Sequence, residues 1–148
     1  MFAGGETVLG LSREGLKAGL TGAALLASLA AARGLAEATP AAVRVAGRGL
    51  PVICPSRLLF GVKCPGCGMT RGVLLTLGGD LRVALAVNPA GSVLVAALIL
   101  LAAQLLLAAR PAEGGASVKR PLLSWAFLYG AVVAAVMLIQ WAGGLGRA

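Results

Sequence analysis

Three long apolar stretches limit how this 148-residue chain can fold. The clearest runs from Pro89 to Ala109 and contains Gln104 as its only strongly polar side chain. Twenty-one helical residues extend about 31 Å, which matches the hydrocarbon thickness of a lipid bilayer. Asn88-Pro89 is also a typical helix start, with a capping side chain followed by a first-turn proline. The sequence therefore predicts a transmembrane helix over residues 89–109.

The first apolar stretch, residues 16–35, is predicted as another transmembrane helix after an N-terminal tail over residues 1–15. A second interpretation is a signal peptide, with Arg13 and Lys17 ahead of the apolar run and a cleavage site at residues 36–38. Small residues that recur every four positions either form a packing face for a second helix or reflect an alanine-rich composition. They are Gly15, Gly19, Ala23, Ala27 and Ala31.

The third apolar stretch, residues 121–144, is predicted as a helix that follows a polar loop over residues 110–120. Trp125 and Trp141, with Tyr129 near the first of them, lie toward its ends. Sixteen helical residues separate the two tryptophans by about 24 Å, which is typical of anchoring at the two membrane interfaces, although core packing also explains a single aromatic residue. The predicted fold class is an all-α membrane protein with three transmembrane helices.

The composition supports membrane embedding. The chain is 59% hydrophobic and 12% charged, whereas soluble domains carry roughly 25% charged residues. The net charge of +8 is explained by basic residues that flank apolar spans, so a nucleic-acid partner is not expected and the lipid bilayer is the predicted partner. The chain has no histidine, which excludes imidazole ligands and histidine catalysis within it.

Residues 36–88 form a segment between the first two spans that we expect to lie at the membrane interface, and we call it the interfacial segment. Thr39-Pro40 predicts a short helix through Ala46 that the following glycines end. Residues 70–77 and 81–87 predict two more short helices, the second capped by the carboxylate of Asp80.

All three cysteines lie in the interfacial segment, and three interpretations of them stay open. Cys64 and Cys67 are spaced like two ligands of a zinc knuckle, with Cys54 as the third and Asp80, a backbone group, water or a second subunit as the fourth. The same pair has the spacing of a redox dithiol, with a helix start after Cys67 to lower a thiol pKa. Alternatively, a disulfide would staple the loop and leave one cysteine over. The cofactor alternatives are accordingly zinc or none.

The motifs of this segment resemble a family of small bacterial membrane proteins classed as a domain of unknown function. That family has a CP, CPGCGxTR, GD, NP order between hydrophobic segments. The resemblance implies a short multi-pass membrane protein and implies no activity, and we predict that the protein lies in the bacterial inner membrane. The candidate functional residues are those of the motif: Cys54, Pro55, Cys64, Pro65, Gly66, Cys67, Gly68, Thr70, Arg71, Asp80, Asn88 and Pro89.

The side of the membrane that the cysteines face is left open by two conflicting signals. With three spans, eight basic residues share the side of the cysteines and five lie on the other side, which favours a cytoplasmic interfacial segment. The family resemblance favours an extracytoplasmic one. The longer Ala- and Arg-rich stretch before Cys54 departs from the family.

The sequence favours a non-enzymatic role, because it offers a specific turn but no catalytic set. We expect a membrane subunit or interaction module whose cysteine loop contacts a membrane protein or a second copy of the chain. The alternative is a membrane thiol-disulfide oxidoreductase or metal-binding factor that uses Cys64 and Cys67. Arg71 and Asp80 are either functional charges or a salt bridge between the two short helices, and we favour the salt bridge.

Overall fold

The computed structural model describes residues 13–50, 54–61, 64–109 and 119–145, and these residues are mostly helical. A small antiparallel sheet and three short helices follow the first long helix. In chain order the elements are α1 (Arg13–Leu35), β1 (Ala36–Ala38), β2 (Val43–Val45), β3 (Arg48–Leu50), α2 (Pro55–Phe60), α3 (Met69–Gly78), α4 (Leu81–Val87), α5 (Pro89–Ala108) and α6 (Lys119–Leu145).

Three helices of the described residues are long and apolar enough to cross a membrane. Their candidate spans are Gly15–Leu35, Pro89–Ala108 and Ser124–Gly143. Large apolar side chains such as Phe127 and Ile139, each 72% exposed, point away from the protein. A lipid environment accepts such surfaces, whereas water disfavours them. The predicted fold, with three transmembrane helices and short helices between the first two, is confirmed, and the chain is a multi-pass membrane protein.

Helix α5 is the centre of the bundle. A third of its span (33%) is buried, against 11% for α1 and 6% for α6. It contacts both of those helices as well as α3 and α4. Within the membrane-spanning part, the Nε2 of Gln104 on α5 donates a hydrogen bond to the Tyr129 hydroxyl on α6 at 2.9 Å. This bond gives Tyr129 a partner on α5, a role that its position near the end of an apolar stretch did not predict.

The packing face of α1 differs from the predicted stripe of small residues. The stripe begins correctly, because a Cβ added at Gly19 would lie 3.0 Å from the Cβ of Ala109. The next close contact is at Gly22, where an added Cβ would lie 3.0 Å from the Ala102 carbonyl oxygen. Ala23, Ala27 and Ala31 are exposed instead. In a helix of 3.6 residues per turn, each step of four residues rotates the side-chain direction by about 40°. A strict four-residue repeat therefore turns progressively away from the face of α1 that contacts α5.

The helix predicted from Pro40 through Ala46 is wrong, because this stretch belongs to a three-stranded antiparallel sheet in the order β1-β2-β3. The Thr39 hydroxyl does accept from the backbone N–H of Ala42 at 3.1 Å, but it closes a turn between β1 and β2. A two-residue hairpin then joins β2 to β3, with Ala46 and Gly47 both at positive φ (48° and 78°). Such hairpins match the strand twist.

Helices α3 and α5 approach each other closely at two glycines. A Cβ added at Gly91 would lie 2.8 Å from the Met69 oxygen and 2.8 Å from the Val73 nitrogen, and one added at Gly72 would lie 2.6 Å from the Asn88 oxygen. Real Cβ atoms do not reach these distances, so both positions require glycine. One turn further along, the hydroxyls of Thr76 and Ser92 are 2.8 Å apart and hydrogen-bonded.

We expect Gly91→Ala to lower the stability of the protein by about 1–3 kcal/mol, because α3 must move away from α5 to admit the methyl group. The measurement is the thermal unfolding midpoint in detergent. Gly130→Ala is the matched control, since a Cβ on Gly130 of α6 meets nothing within 4 Å. Equal midpoints for the two variants would contradict the close packing of α3 on α5.

Candidate metal centre

The turn that carries Cys64 and Cys67 is built from backbone hydrogen bonds. The N–H of Cys67 donates to the Cys64 oxygen at 3.0 Å, and the N–H of Met69 donates to the Gly66 oxygen at 3.0 Å. Gly68 then adopts a left-handed conformation (φ 84°) directly before α3. A side chain at this position would be strained, which explains the glycine. The turn and the helix start therefore fix two thiols three residues apart.

The third thiol, that of Cys54, is positioned by the start of helix α2. Cys54 immediately precedes α2, and its carbonyl accepts from the N–H of Leu58 at 3.0 Å in the first turn of that helix. Gly61, at φ 70°, follows the end of α2.

The three sulfur atoms meet at one point. The Sγ of Cys67 lies 2.9 Å from that of Cys54 and 3.2 Å from that of Cys64, and the Sγ atoms of Cys54 and Cys64 are 3.6 Å apart. All three side chains are half-buried. In a tetrahedral zinc site with bonds of about 2.3 Å, neighbouring sulfurs are about 3.8 Å apart. A small outward movement of the thiols would therefore admit an ion.

The protonation of Cys67 is shaped by this crowding. Burial raises the pKa of the Cys67 thiol to about 11, and its hydrogen bonds with the Cys54 and Cys64 thiols add to the rise. A thiol with such a pKa stays protonated at neutral pH. Without a cation among the sulfurs, Cys67 is therefore a poor nucleophile. Metal ligation would displace the proton, because the thiolate is the ligand form.

Arg71 lies beside the turn but does not form the predicted salt bridge. Its guanidinium donates to the carbonyl oxygen of Pro40 and thereby ties α3 to the sheet. Its Nη2 lies 3.4 Å from where a Cβ of Gly68 would be. Within the described residues Arg71 and Asp80 form no ion pair, and Asp80 is exposed at the junction of α3 and α4. A backbone carbonyl from a distant turn takes the place of the expected carboxylate.

Asn88 holds the turn from the other side. Helix α5 begins at Pro89 as predicted, but the Asn88 side chain makes no capping hydrogen bond. Instead the fully buried side chain donates from Nδ2 to the Cys67 oxygen at 3.1 Å, while its Oδ1 has no partner in the described structure. Asp80 likewise makes no side-chain capping bond to α4, so that prediction is also wrong. Asn88 connects the start of α5 directly to the backbone of a cysteine.

Most of the predicted site residues lie around this cluster. The structure brings together the cysteines, the Pro65-Gly66 turn, Gly68, Arg71 and Asn88, whereas Asp80 and Thr70 are exposed. Pro55 and Pro89 open α2 and α5. Sequence reasoning missed four contributors that act from a distance: Pro40, Gly72, Gly91 and Met137, whose Cε would lie 3.8 Å from a Cβ on Gly66. Only the two glycines, unusual within helices, gave any signal.

The geometry defines a multi-pass membrane protein that carries a cluster of three thiols between its first two spans. Residues 54–102 match the model of a family described as a protein of unknown function, DUF2752. This match covers the cysteine cluster and reaches into α5, and it confirms the predicted resemblance to a family of unknown function. No curated protein and no solved structure matches the chain.

We expect Asn88→Ala to lower stability by about 1–3 kcal/mol, because it removes a fully buried amide and its hydrogen bond to the Cys67 carbonyl. The measurements are the unfolding midpoint in detergent and the rate at which a maleimide labels the cysteines, which should rise. Asp80→Ala is the control, since an exposed carboxylate without a capping bond should contribute less than about 0.5 kcal/mol. A larger effect at Asp80 than at Asn88 would refute this account of the turn.

Proposed function

We propose that this protein is a membrane metal-binding subunit in which Cys54, Cys64 and Cys67 together hold one zinc ion. The observation that carries the proposal is the convergence of the three sulfurs, which all lie within 4.8 Å of one another. They come from two separate turns, so their meeting is a property of the fold and not of the two-residue spacing alone. Thiolate ligands suit zinc among the abundant divalent ions.

An ion satisfies this cluster better than a disulfide does. A disulfide joins two sulfurs and leaves the third beside it, whereas a metal ion uses all three at once. The spread of the three separations is only 2.9–3.6 Å, so no pair stands apart from the third sulfur. A shared ion accounts for this near-symmetry.

The ion would supply stability that the segment around α2 lacks. Leu58 and Leu59 of α2 are 83% and 72% exposed, so these two side chains bury little apolar surface against the protein. A metal bond between Cys54 and the Cys64–Cys67 turn closes a short loop and thereby restricts the unfolded chain. The proposed ion therefore acts first as a structural staple.

The interfacial segment lies at one end of the bundle, between the end of α1 and the start of α5. Its short helices present apolar side chains outward, including Leu81 and Leu85 of α4, which are 51% and 46% exposed. Leucines on short surface helices suit the boundary between headgroups and acyl chains. We propose that residues 36–88 lie at the membrane surface and that the membrane is the bacterial inner membrane.

Within this proposal the protein is a non-enzymatic subunit. The chain contains no histidine, and Cys67 is not an activated nucleophile without a bound cation. A rigid, metal-stapled turn at the membrane surface is suited to docking a membrane protein partner or a second copy of the chain. The partner would bind the surface whose conformation the ion stabilises.

The second candidate is a thiol-disulfide oxidoreductase. The separation of 2.9 Å between the Cys54 and Cys67 sulfurs favours it, because a modest movement would form a bond. Oxidation of that pair would release two electrons and two protons to a disulfide acceptor. The raised pKa of Cys67 opposes it, since exchange requires the thiolate.

Metal analysis of the protein purified in detergent with a non-thiol reductant tests the proposal. We expect about one zinc ion per chain, and we expect Cys54→Ser, Cys64→Ser and Cys67→Ser each to weaken zinc binding by more than about 100-fold, because each removes a ligand. Ser56→Ala lies in the same segment and is the control that should keep its zinc. A parallel preparation made without reductant, if it lacks zinc and carries a Cys54–Cys67 or Cys64–Cys67 disulfide, would favour the oxidoreductase instead.

A further inference from the structure

We propose that the metal held by Cys54, Cys64 and Cys67 keeps a fourth coordination position open for a thiolate from outside the chain. This inference rests on the proposed metal site and adds the chemical class of its exogenous ligand. Three protein ligands with one exchangeable position distinguish a reactive zinc site from a closed structural one.

The first argument is the number of metal-ligating side chains in one copy of the chain. All three cysteines of the sequence are already in the cluster, and the sequence has no histidine. These residues of the sequence therefore offer no fourth thiolate or imidazole. Among the described carboxylates, those of Glu37 and Asp80 are not part of the group of ligand atoms within 4.8 Å of one another.

The second argument is that the cysteine side chains are accessible to a small ligand. Each cysteine side chain is half-buried and none is fully enclosed. The cysteines lie on turns next to short helices and outside the three candidate spans. A small thiol can therefore approach the half-buried sulfurs.

The third argument is the charge around the proposed ion. One Zn²⁺ with three thiolates has a net charge of −1, and a fourth thiolate would make it −2. The interfacial segment carries six Lys and Arg residues against two acidic ones, Glu37 and Asp80. Arg71 is held beside Gly68, next to Cys67. The Arg71 guanidinium beside the turn favours an anionic ligand over a neutral one.

Met137 is the internal competitor for the same position. Its Cε would lie 3.8 Å from a Cβ on Gly66, so α6 brings a thioether close to the turn. Thioethers ligate soft ions. A site closed by Met137 would leave no room for an external thiolate, and the two alternatives are separable by experiment.

The test replaces zinc by Co²⁺ in the full chain in detergent, with a phosphine as reductant, and follows the visible cobalt bands during titration with 2-mercaptoethanol. We expect a saturable shift, with the sulfur-to-cobalt charge-transfer band rising by about one third as three thiolates become four. Cobalt should stay with the protein on gel filtration. Unchanged bands at saturating thiol, or loss of cobalt to the thiol, would overturn the inference.

Three comparisons separate the causes. Met137→Leu should leave the cobalt spectrum and the thiol response unchanged, and a spectrum altered before thiol is added would assign the fourth position to Met137. Arg71→Gln should weaken thiol binding several-fold, whereas Arg82→Gln on α4 should not. Imidazole that binds more tightly than the thiol would overturn the preference for an anion. If cobalt fails to bind at all, the proposed metal site itself is wrong.

Discussion

The cysteine cluster depends on the contact between the backbones of α3 and α5. Gly72 and Gly91 lie where the two helices cross, and neither position has space for a Cβ. This crossing places the start of α3 against the start of α5, so the buried amide of Asn88 reaches the carbonyl of Cys67. Without this crossing, the Cys64–Cys67 turn would lose its hydrogen bond to the start of α5. The small side chains of an apolar bundle are thus what orients a polar, chemically specific loop.

The site combines a rigid half with a weakly held half. Cys64 and Cys67 are fixed by the turn, by α3 and by Asn88, and all of these rest on α5. Cys54 directly precedes the short helix α2, whose Leu58 and Leu59 are exposed, and its sulfur lies 2.9 Å from that of Cys67. An ion shared by the three sulfurs would join the two halves, and its removal would release the weaker one. Structural and ligand-binding roles therefore meet in the same three atoms.

Much of the fold could be predicted because membrane spans and helix starts are local signals. Apolar length defined α5, and Pro89 marked its first residue correctly. The hairpin could not be predicted, because its turn places Ala46 in a left-handed conformation that is uncommon outside glycine, asparagine and aspartate. The roles of Asn88 and Arg71 were missed for another reason. Both looked suited to local caps or pairs, but their partners, the carbonyls of Cys67 and Pro40, come from elsewhere in the fold.

The central claim is that three sulfurs of one chain share one ion, and X-ray absorption at the zinc edge tests it most directly. For the protein purified from cells under reducing conditions and washed free of added thiol, we predict three sulfur neighbours at about 2.3 Å from the zinc, with one lighter atom in the fourth position. Two or fewer sulfur neighbours, or an absence of zinc from protein whose thiols are all reduced, would contradict it.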